Sequence, residues 1–231
     1  FLKRVYEKPL LRQWMAGDGT CKSLILKHEM VSAAVPYEVM LAKMLRATPE
    51  SLRCQVLNMK NDSEETPLHR AALLRKPESI RAILAFYPES QRIQALNEKD
   101  RSGSTVLHCA AISGNTETIQ TVLNVYPQSQ HLQIMMNAKD KSERTILHYA
   151  AYLRTSIESI LDLYPEAQRL QALMMQSVDG ETALHIAAEA DNAESVTVIL
   201  NTYPESERLR AVCTYTDTGM TALHYAASSK Y

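Results

Sequence analysis

The run Thr105-Val106-Leu107-His108-Cys109-Ala110-Ala111 would mean little on its own, but its pattern returns four more times. Thr66-Pro67-Leu68-His69, Thr145-Ile146-Leu147-His148, Thr182-Ala183-Leu184-His185 and Thr221-Ala222-Leu223-His224 repeat it, each followed one residue later by Ala-Ala. In chain order the five threonines stand 39, 40, 37 and 39 residues apart. A fixed period in this range is the signature of a repeat architecture.

A second anchor runs in the same register. Tyr-Pro-Glu-Ser-like segments place prolines at 88, 127, 165 and 204, and the divergent Thr48-Pro49-Glu50-Ser51 adds a fifth. Eight, five and four residues before each proline stand Leu41/Met44/Leu45, Ile80/Ile83/Leu84, Ile119/Val122/Leu123, Ile157/Ile160/Leu161 and Val196/Ile199/Leu200. Apolar residues at i, i+3 and i+4 form the buried stripe of a helix. After the proline, Glu50/Arg53, Glu89/Arg92, Gln128/His131, Glu166/Arg169 and Glu205/Arg208 alternate with apolar or Cys positions, as in Ile93/Leu96 and Leu170/Leu173. Proline suits the first position of a helix and Glu its positive end, so a third, short helix with an exposed i, i+3 ion pair is expected. Such a pair contributes only about 0.2 to 0.5 kcal/mol, so its recurrence marks architecture.

Each unit thus reads as helix, helix, short helix and a turn such as Lys99-Asp100-Arg101-Ser102-Gly103-Ser104. One unit cannot bury its own apolar faces, so neighbours must stack. The expected fold is all-α: a helical repeat solenoid with a short third helix per unit. Residues 61–231 hold the repeats, the last incomplete. Residues 1–60 keep the second-helix stripe and the Pro49 segment but read Leu26-Lys27-His28-Glu29 where Thr-x-Leu-His is due. A divergent capping unit, its end covered by Trp14, is preferred there over a small separate N-terminal region.

The repeated segment resembles the ankyrin repeat, whose unit carries Asp-x-x-Gly-x-Thr-Pro-Leu-His-x-Ala-Ala. Asp100 to Ala111 lacks only the proline, Gly114-Asn115 fits the family's turn between its first two helices, and the likeness covers roughly residues 60 to 228. It implies an ankyrin-like stack and a role in protein recognition. Two departures stand out. Ankyrin units are about 33 residues long, and here Tyr-Pro-Glu-Ser and a short helix replace the usual glycine-ended loop. Glu64 and Glu143 stand where Gly103, Gly180 and Gly219 occupy the other turns, and the third unit is shortened around Arg154-Thr155-Ser156. Those turns are expected to differ in shape. Lengthened arrays of this kind look like those of effector proteins that intracellular bacteria deliver into host cells, which implies action on a host protein.

Composition excludes much else. The 231 residues carry 25 Lys+Arg against 26 Asp+Glu, giving a net charge of -1 and no basic footprint for nucleic acid or an anionic membrane. No apolar run approaches the roughly 18 to 20 residues of a membrane span. The six glycines are too dispersed for a phosphate cradle, and neither GxGxxG, GxxxxGK[ST] nor GxSxG occurs. Cys21, Cys54, Cys109 and Cys213 form no CxxC pair and read as reduced, packed thiols, which points to a cytoplasmic setting.

The remaining chemistry has bland alternatives. Five of seven histidines belong to the repeat. A metal ladder is excluded because zinc binds nitrogen at about 2.0 to 2.1 Å, while packed helices lie roughly 8 to 10 Å apart. Hydrogen bonding with Thr at the start of the first helix explains them instead. His28-Glu29-Met30-Val31-Ser32 begins like HExxH but lacks the second histidine. Cys109 follows His108, yet its repeat equivalents are Arg70, Tyr149, Ile186 and Tyr225, so it is one side chain in a variable series. Met135-Met136 and Met174-Met175 read as core filling ahead of a partner-binding surface.

A stacked array presents turns and first-helix faces that one partner can touch over several units. The function expected is non-catalytic binding of a partner protein, with no metal, cofactor, nucleic acid, membrane or small-molecule substrate. The alternative is the targeting part of an enzyme whose catalytic domain lies outside the fragment. Packing fixes the positions at which units agree, so binding is expected where they differ. Those positions are Glu65, Ser104, Arg144, Glu181 and Met220 before each Thr, and Leu73, Ile112, Tyr152 and Glu189 after the Ala pairs.

Overall fold

The computed structural model of the protein describes residues 37–153 and 157–228. Among them are fifteen α-helices and no strand. A partial unit supplies α1 (Tyr37–Ala47) and α2 (Glu50–Leu57). Unit 1 comprises α3 (Pro67–Leu73), α4 (Pro77–Leu84) and α5 (Glu89–Asn97). Unit 2 comprises α6 (Val106–Ser113), α7 (Thr116–Leu123) and α8 (His131–Asn137), the last entered through a 3-10 turn, Gln128–Gln130. Unit 3 has α9 (Ile146–Tyr152), α10 (Ile157–Leu161) and α11 (Glu166–Leu173). Unit 4 has α12 (Ala183–Glu189), α13 (Ala193–Thr202) and α14 (Glu205–Val212), and α15 (Ala222–Ser228) opens unit 5.

The first helices stack in one row, α3 on α6, α6 on α9, α9 on α12 and α12 on α15. The alanine pairs favour a close approach: Ala110, Ala111, Ala150, Ala151 and Ala187 are completely buried, and their side chains are single methyl groups. Second helices form the next layer, with α1 on α4, α4 on α7 and α10 on α13. Helix α1 thus packs on α4 in the same layer as the second helices of the units that follow. Trp14, the His28 segment and Arg154-Thr155-Ser156 lie outside the described residues.

The second-helix stripes are buried throughout units 1 to 3, including Ile80, Ile119, Val122, Ile157 and Ile160. Toward the ends they loosen, with Met44 43% exposed and Val196 and Leu200 half-buried. In the short helices only the second apolar position is a core site in the interior: Leu57, Leu96, Met135 and Leu173 are buried, whereas Ile93 is 38% and Leu209 74% exposed. The tyrosine before the proline is the core anchor of this layer. Tyr87, Tyr126, Tyr164 and Tyr203 are buried, and Tyr87 and Tyr126 donate to Asn58 Oδ1 (2.7 Å) and Asn97 Oδ1 (2.8 Å) at the end of the preceding short helix.

The expected Glu/Arg ion pair of the short helix is replaced by a different contact. Among the described residues no such pair links Glu50 to Arg53 or its equivalents. Instead Arg53 Nε donates to the carbonyls of Leu45 and Thr48, Arg92 Nε to Leu84, Arg169 Nε to Tyr164 and Arg208 Nε to Tyr203. These carbonyls lie at or just beyond the end of the second helix, where the helical ladder stops, so a donor gains more there than in an exposed pair. The proline is also the N-cap, with φ near -54° and ψ near 139° at Pro165, leaving Glu as the first helical residue.

The turns before each Thr hold one shape despite their sequence differences. Gly103, Gly180 and Gly219 take φ of 84°, 77° and 75°, and Glu64 and Glu143 take the same left-handed region at 60° and 57°. The expected difference in shape is not found. A side chain five residues before each Thr organises the turn: Asn61 Oδ1 accepts from Ser63 and Glu65 N–H, Asp100 Oδ1 from Ser102 and Ser104, and Asp140 Oδ1 from Ser142 and Arg144. That closure offsets the roughly 1 to 2 kcal/mol a non-glycine residue loses in this region. Successive turns are then tied together. The N–H groups of Arg101, Lys141, Val178 and Asp217 donate to the carbonyls of Ser63, Ser102, Ser142 and Asp179 at 2.8 to 3.0 Å.

Candidate functional site

Every first helix starts with the same device. Thr66, Thr105, Thr145, Thr182 and Thr221 are extended N-caps or stand in that place, and each backbone N–H donates to Nδ1 of the histidine three residues on, at 3.1 to 3.2 Å. The threonine hydroxyl lies 2.8 to 3.0 Å from the same nitrogen. This is a capping box with His in the position usually held by Glu or Gln.

Because Nδ1 accepts, Nε2 carries the proton, and it donates into the turn that leads to the next first helix. His69 reaches the Ser104 carbonyl (3.1 Å), His148 the Glu181 carbonyl (3.0 Å) and His185 the Thr214 carbonyl (3.1 Å). His108 is the exception: its Nε2 is buried and unpaired, the Ala138 and Arg144 carbonyls nearby being out of hydrogen-bonding geometry. Burial lowers the pKa of all four rings below the usual 6.5, which keeps them neutral. The repeat histidine is thus a cap and a tie between units, and both nitrogens are engaged inside the stack at three of these sites.

The sequence-derived recognition residues divide by exposure. Tyr152 is 58% exposed and Glu189 is exposed, at the C-terminal ends of α9 and α12. Leu73 and Ile112, in the same place on α3 and α6, are half-buried, and Leu74 beside Leu73 is 55% exposed. Since the first helices stack in a row, these residues form one line across four units.

Residues on the turns face inward to different degrees. Glu65, Arg144 and Met220 are half-buried. Ser104 and Glu181 are only 1% and 7% exposed, and their polar atoms are used within the stack. Ser104 Oγ lies 3.2 Å from Tyr149 Oη. Glu181 accepts from Tyr225 Oη (3.0 Å), Arg144 Nη2 (3.3 Å) and Ser177 Oγ (3.4 Å).

Sequence reasoning did not single out the tyrosines of that network. Tyr149 Oη donates to Asp140 Oδ2 (2.6 Å), and burial together with that bond pushes its pKa up to about 12. Its ring stands edge-on to His108 at 5.7 Å, and Tyr225 does the same to His185 at 5.5 Å. The alternation Cys109/Tyr149 and Ile186/Tyr225 was the available signal. Cys109 is buried with its thiol pKa raised by burial, the opposite of an activated nucleophile. No group of three or more His, Cys, Asp or Glu that could hold a metal ion occurs among the described residues.

A family model described as ankyrin repeats (3 copies) matches residues 16–130, 90–169 and 155–231. The chain belongs to the ankyrin repeat family. Comparison with curated proteins found no match. Ankyrin repeats are in general protein–protein interaction modules and typically non-catalytic, which fits a stack whose most regular polar groups are engaged in capping and in joining units. No helix among the described residues is long and apolar enough to cross a membrane.

Proposed function

We propose that this ankyrin array is a non-catalytic recognition module that binds a partner protein across several units at once. The contact line runs over Leu73, Ile112, Tyr152 and Glu189 at the ends of the first helices and is joined by Glu65, Arg144 and Met220 on the turns. Ser104 and Glu181 shape those turns from within. One observation supports the reading: the residues after the alanine pairs, which differ between units, stand at equivalent places on the stacked helices α3, α6, α9 and α12, whereas the His and Ala-Ala positions of units 1 to 4 are buried. An exposed tyrosine beside half-buried aliphatic residues supplies the anchor such interfaces favour. The described cysteines, Cys54, Cys109 and Cys213, are free, which supports a reducing compartment such as the cytoplasm.

Affinity capture with the purified chain, followed by titration of the captured protein, tests this. Tyr152→Ala combined with Glu189→Lys should weaken binding at least about tenfold, the scale of one lost anchor, with an unchanged circular-dichroism spectrum. Unchanged affinity in that folded variant would remove the proposed surface.

A further inference from the structure

We infer that the partner segment received by the first-helix line is charged with opposite sign at its two ends: Asp or Glu over unit 1, Lys or Arg over unit 4, and an apolar anchor between them. The inference rests on the recognition line proposed above and adds the chemistry and the direction of its occupant.

The line itself is polarised. Residues 70–81, from α3 into α4, hold Arg70, Arg75, Lys76 and Arg81 against one acidic residue, Glu78. Glu78 is held by Arg81 at 3.1 Å, Arg81 also reaches Glu117 at 2.8 Å, and Arg70 lies 3.6 Å from Glu65. Arg75 and Lys76 are exposed and form no ion pair among the described residues. They directly follow Leu74, which is 55% exposed.

At the other end the sign reverses. Residues 170–207 contain seven Asp or Glu and no Lys or Arg. Within that stretch Glu189, Asp191 and Glu194 are exposed where α12 ends and α13 begins. Asp191 is the counterpart of Arg75: each stands nine residues after the threonine of its unit, with φ of 51° and 56°. Gly114 holds the same place in unit 2 with φ of 66°. Packing therefore sets none of these signs, because Arg, Gly and Asp all fit the one turn. Between the two ends, the described residues of the corresponding segments, 112–115 and 152–153, are uncharged and include the exposed Tyr152.

The separation lets the two ends act independently. Packed helices lie about 8 to 10 Å apart, so the three steps from α3 to α12 cover roughly 24 to 30 Å. That exceeds the Debye length of about 8 Å at physiological salt, so the opposite charges do not cancel one another. An extended chain spans the distance in about eight residues. A segment laid in the reverse direction would set like charge against like at both ends, which selects one direction. Exposed ion pairs are individually weak, so Tyr152 supplies the anchor while the charged ends supply orientation.

Panning a random peptide display library with inserts of about 20 residues, longer than the extended span requires, on the purified chain tests the assignment. Enriched peptides should carry Asp or Glu on one side of an aromatic or aliphatic residue and Lys or Arg on the other. One such synthetic peptide should bind Arg75→Glu/Lys76→Glu at least about tenfold more weakly, and changing its acidic residues to Lys should restore the affinity. An unchanged melting temperature shows that the double variant is folded. Equal binding to the double variant, or no restoration by the exchanged peptide, would overturn the inference. If those peptides still lose affinity for Tyr152→Ala, the recognition line stands and only its polarity falls. Peptides indifferent to Tyr152→Ala, or no enrichment at all, would remove the line and this inference with it.

Discussion

Replacing the repeat histidines by alanine one at a time should produce a graded loss of stability that follows each ring's hydrogen bonds. His148→Ala removes the acceptor for the Thr145 N–H and the donor to the Glu181 carbonyl. Losing a cap costs about 1 kcal/mol, and losing a buried hydrogen bond costs a similar amount while leaving its carbonyl unpaired. With the void left by a ring that is 1% exposed, the expected cost is about 3 kcal/mol. His108→Ala should cost about 1 kcal/mol less, because Nε2 of that ring has no partner to lose. His224→Ala should cost only the cap, about 1 kcal/mol, since that ring is exposed. Urea unfolding followed by far-ultraviolet circular dichroism reads the series, and 1 kcal/mol corresponds to roughly 2 to 4 °C in Tm for a chain of this size. Equal losses at all sites, or the largest at His224, would refute the assignment of the second nitrogen as the tie between units.

Other outcomes follow from the same structure. Each of His69, His108, His148 and His185 is held neutral by burial with its pKa below 6.5, so the unfolded chain binds more protons below that value. Stability is then full above about pH 6.5 and falls as pH drops from there toward the folded pKa values, by at most about 1.4 kcal/mol per pH unit per ring. The carboxylates near the rings, Asp100 and Glu65 at His69, Asp140 at His108 and Glu181 at His148 and His185, pull the other way. A melting temperature that does not fall between pH 6.5 and 5.5 would contradict buried neutral rings. Gly103→Ala should destabilise more than Gly219→Ala. A Cβ at 103 would stand 2.7 Å from the Lys141 nitrogen in the turn-to-turn ladder, whereas one at 219 meets nothing within 4 Å and loses only the roughly 1 to 2 kcal/mol of left-handed strain. Equal melting shifts would argue against close turn packing. Arg92→Ala should shorten hydrogen-exchange protection at the end of α4, where its Nε holds the Leu84 carbonyl. Unchanged protection there would favour a solvated arginine.

The fold was legible because its period is long and its apolar positions repeat. Stripes such as Ile119/Val122/Leu123 are set by helical geometry and by the need of each unit for a neighbour, and both are encoded locally. What Arg53, Arg92, Arg169 and Arg208 would touch was not legible. Glu three residues earlier and the carbonyls at the end of the preceding helix both lie within reach of arginine, and only the bend at the proline brings the carbonyls to it. The left-handed turns at Glu64 and Glu143 were missed for a related reason. Local propensity disfavours glutamate there, but Asn61 and Asp140 close those loops, and the ladder to the following turn fixes them. For the candidate surface, comparison of units found the exposed Tyr152 and Glu189. It also selected Ser104 and Glu181, because a position can vary among units and still face inward when its partners, here Tyr149 and Tyr225, vary with it.

The central claim is that one partner spans several stacked units along the first-helix line. Hydrogen–deuterium exchange of the chain with and without its captured partner tests it most directly. Protection is predicted at the C-terminal ends of α3, α6, α9 and α12 and in the turns that precede them, across at least two adjacent units. Protection confined to a single unit, or to the second helices α4, α7, α10 and α13, would contradict it.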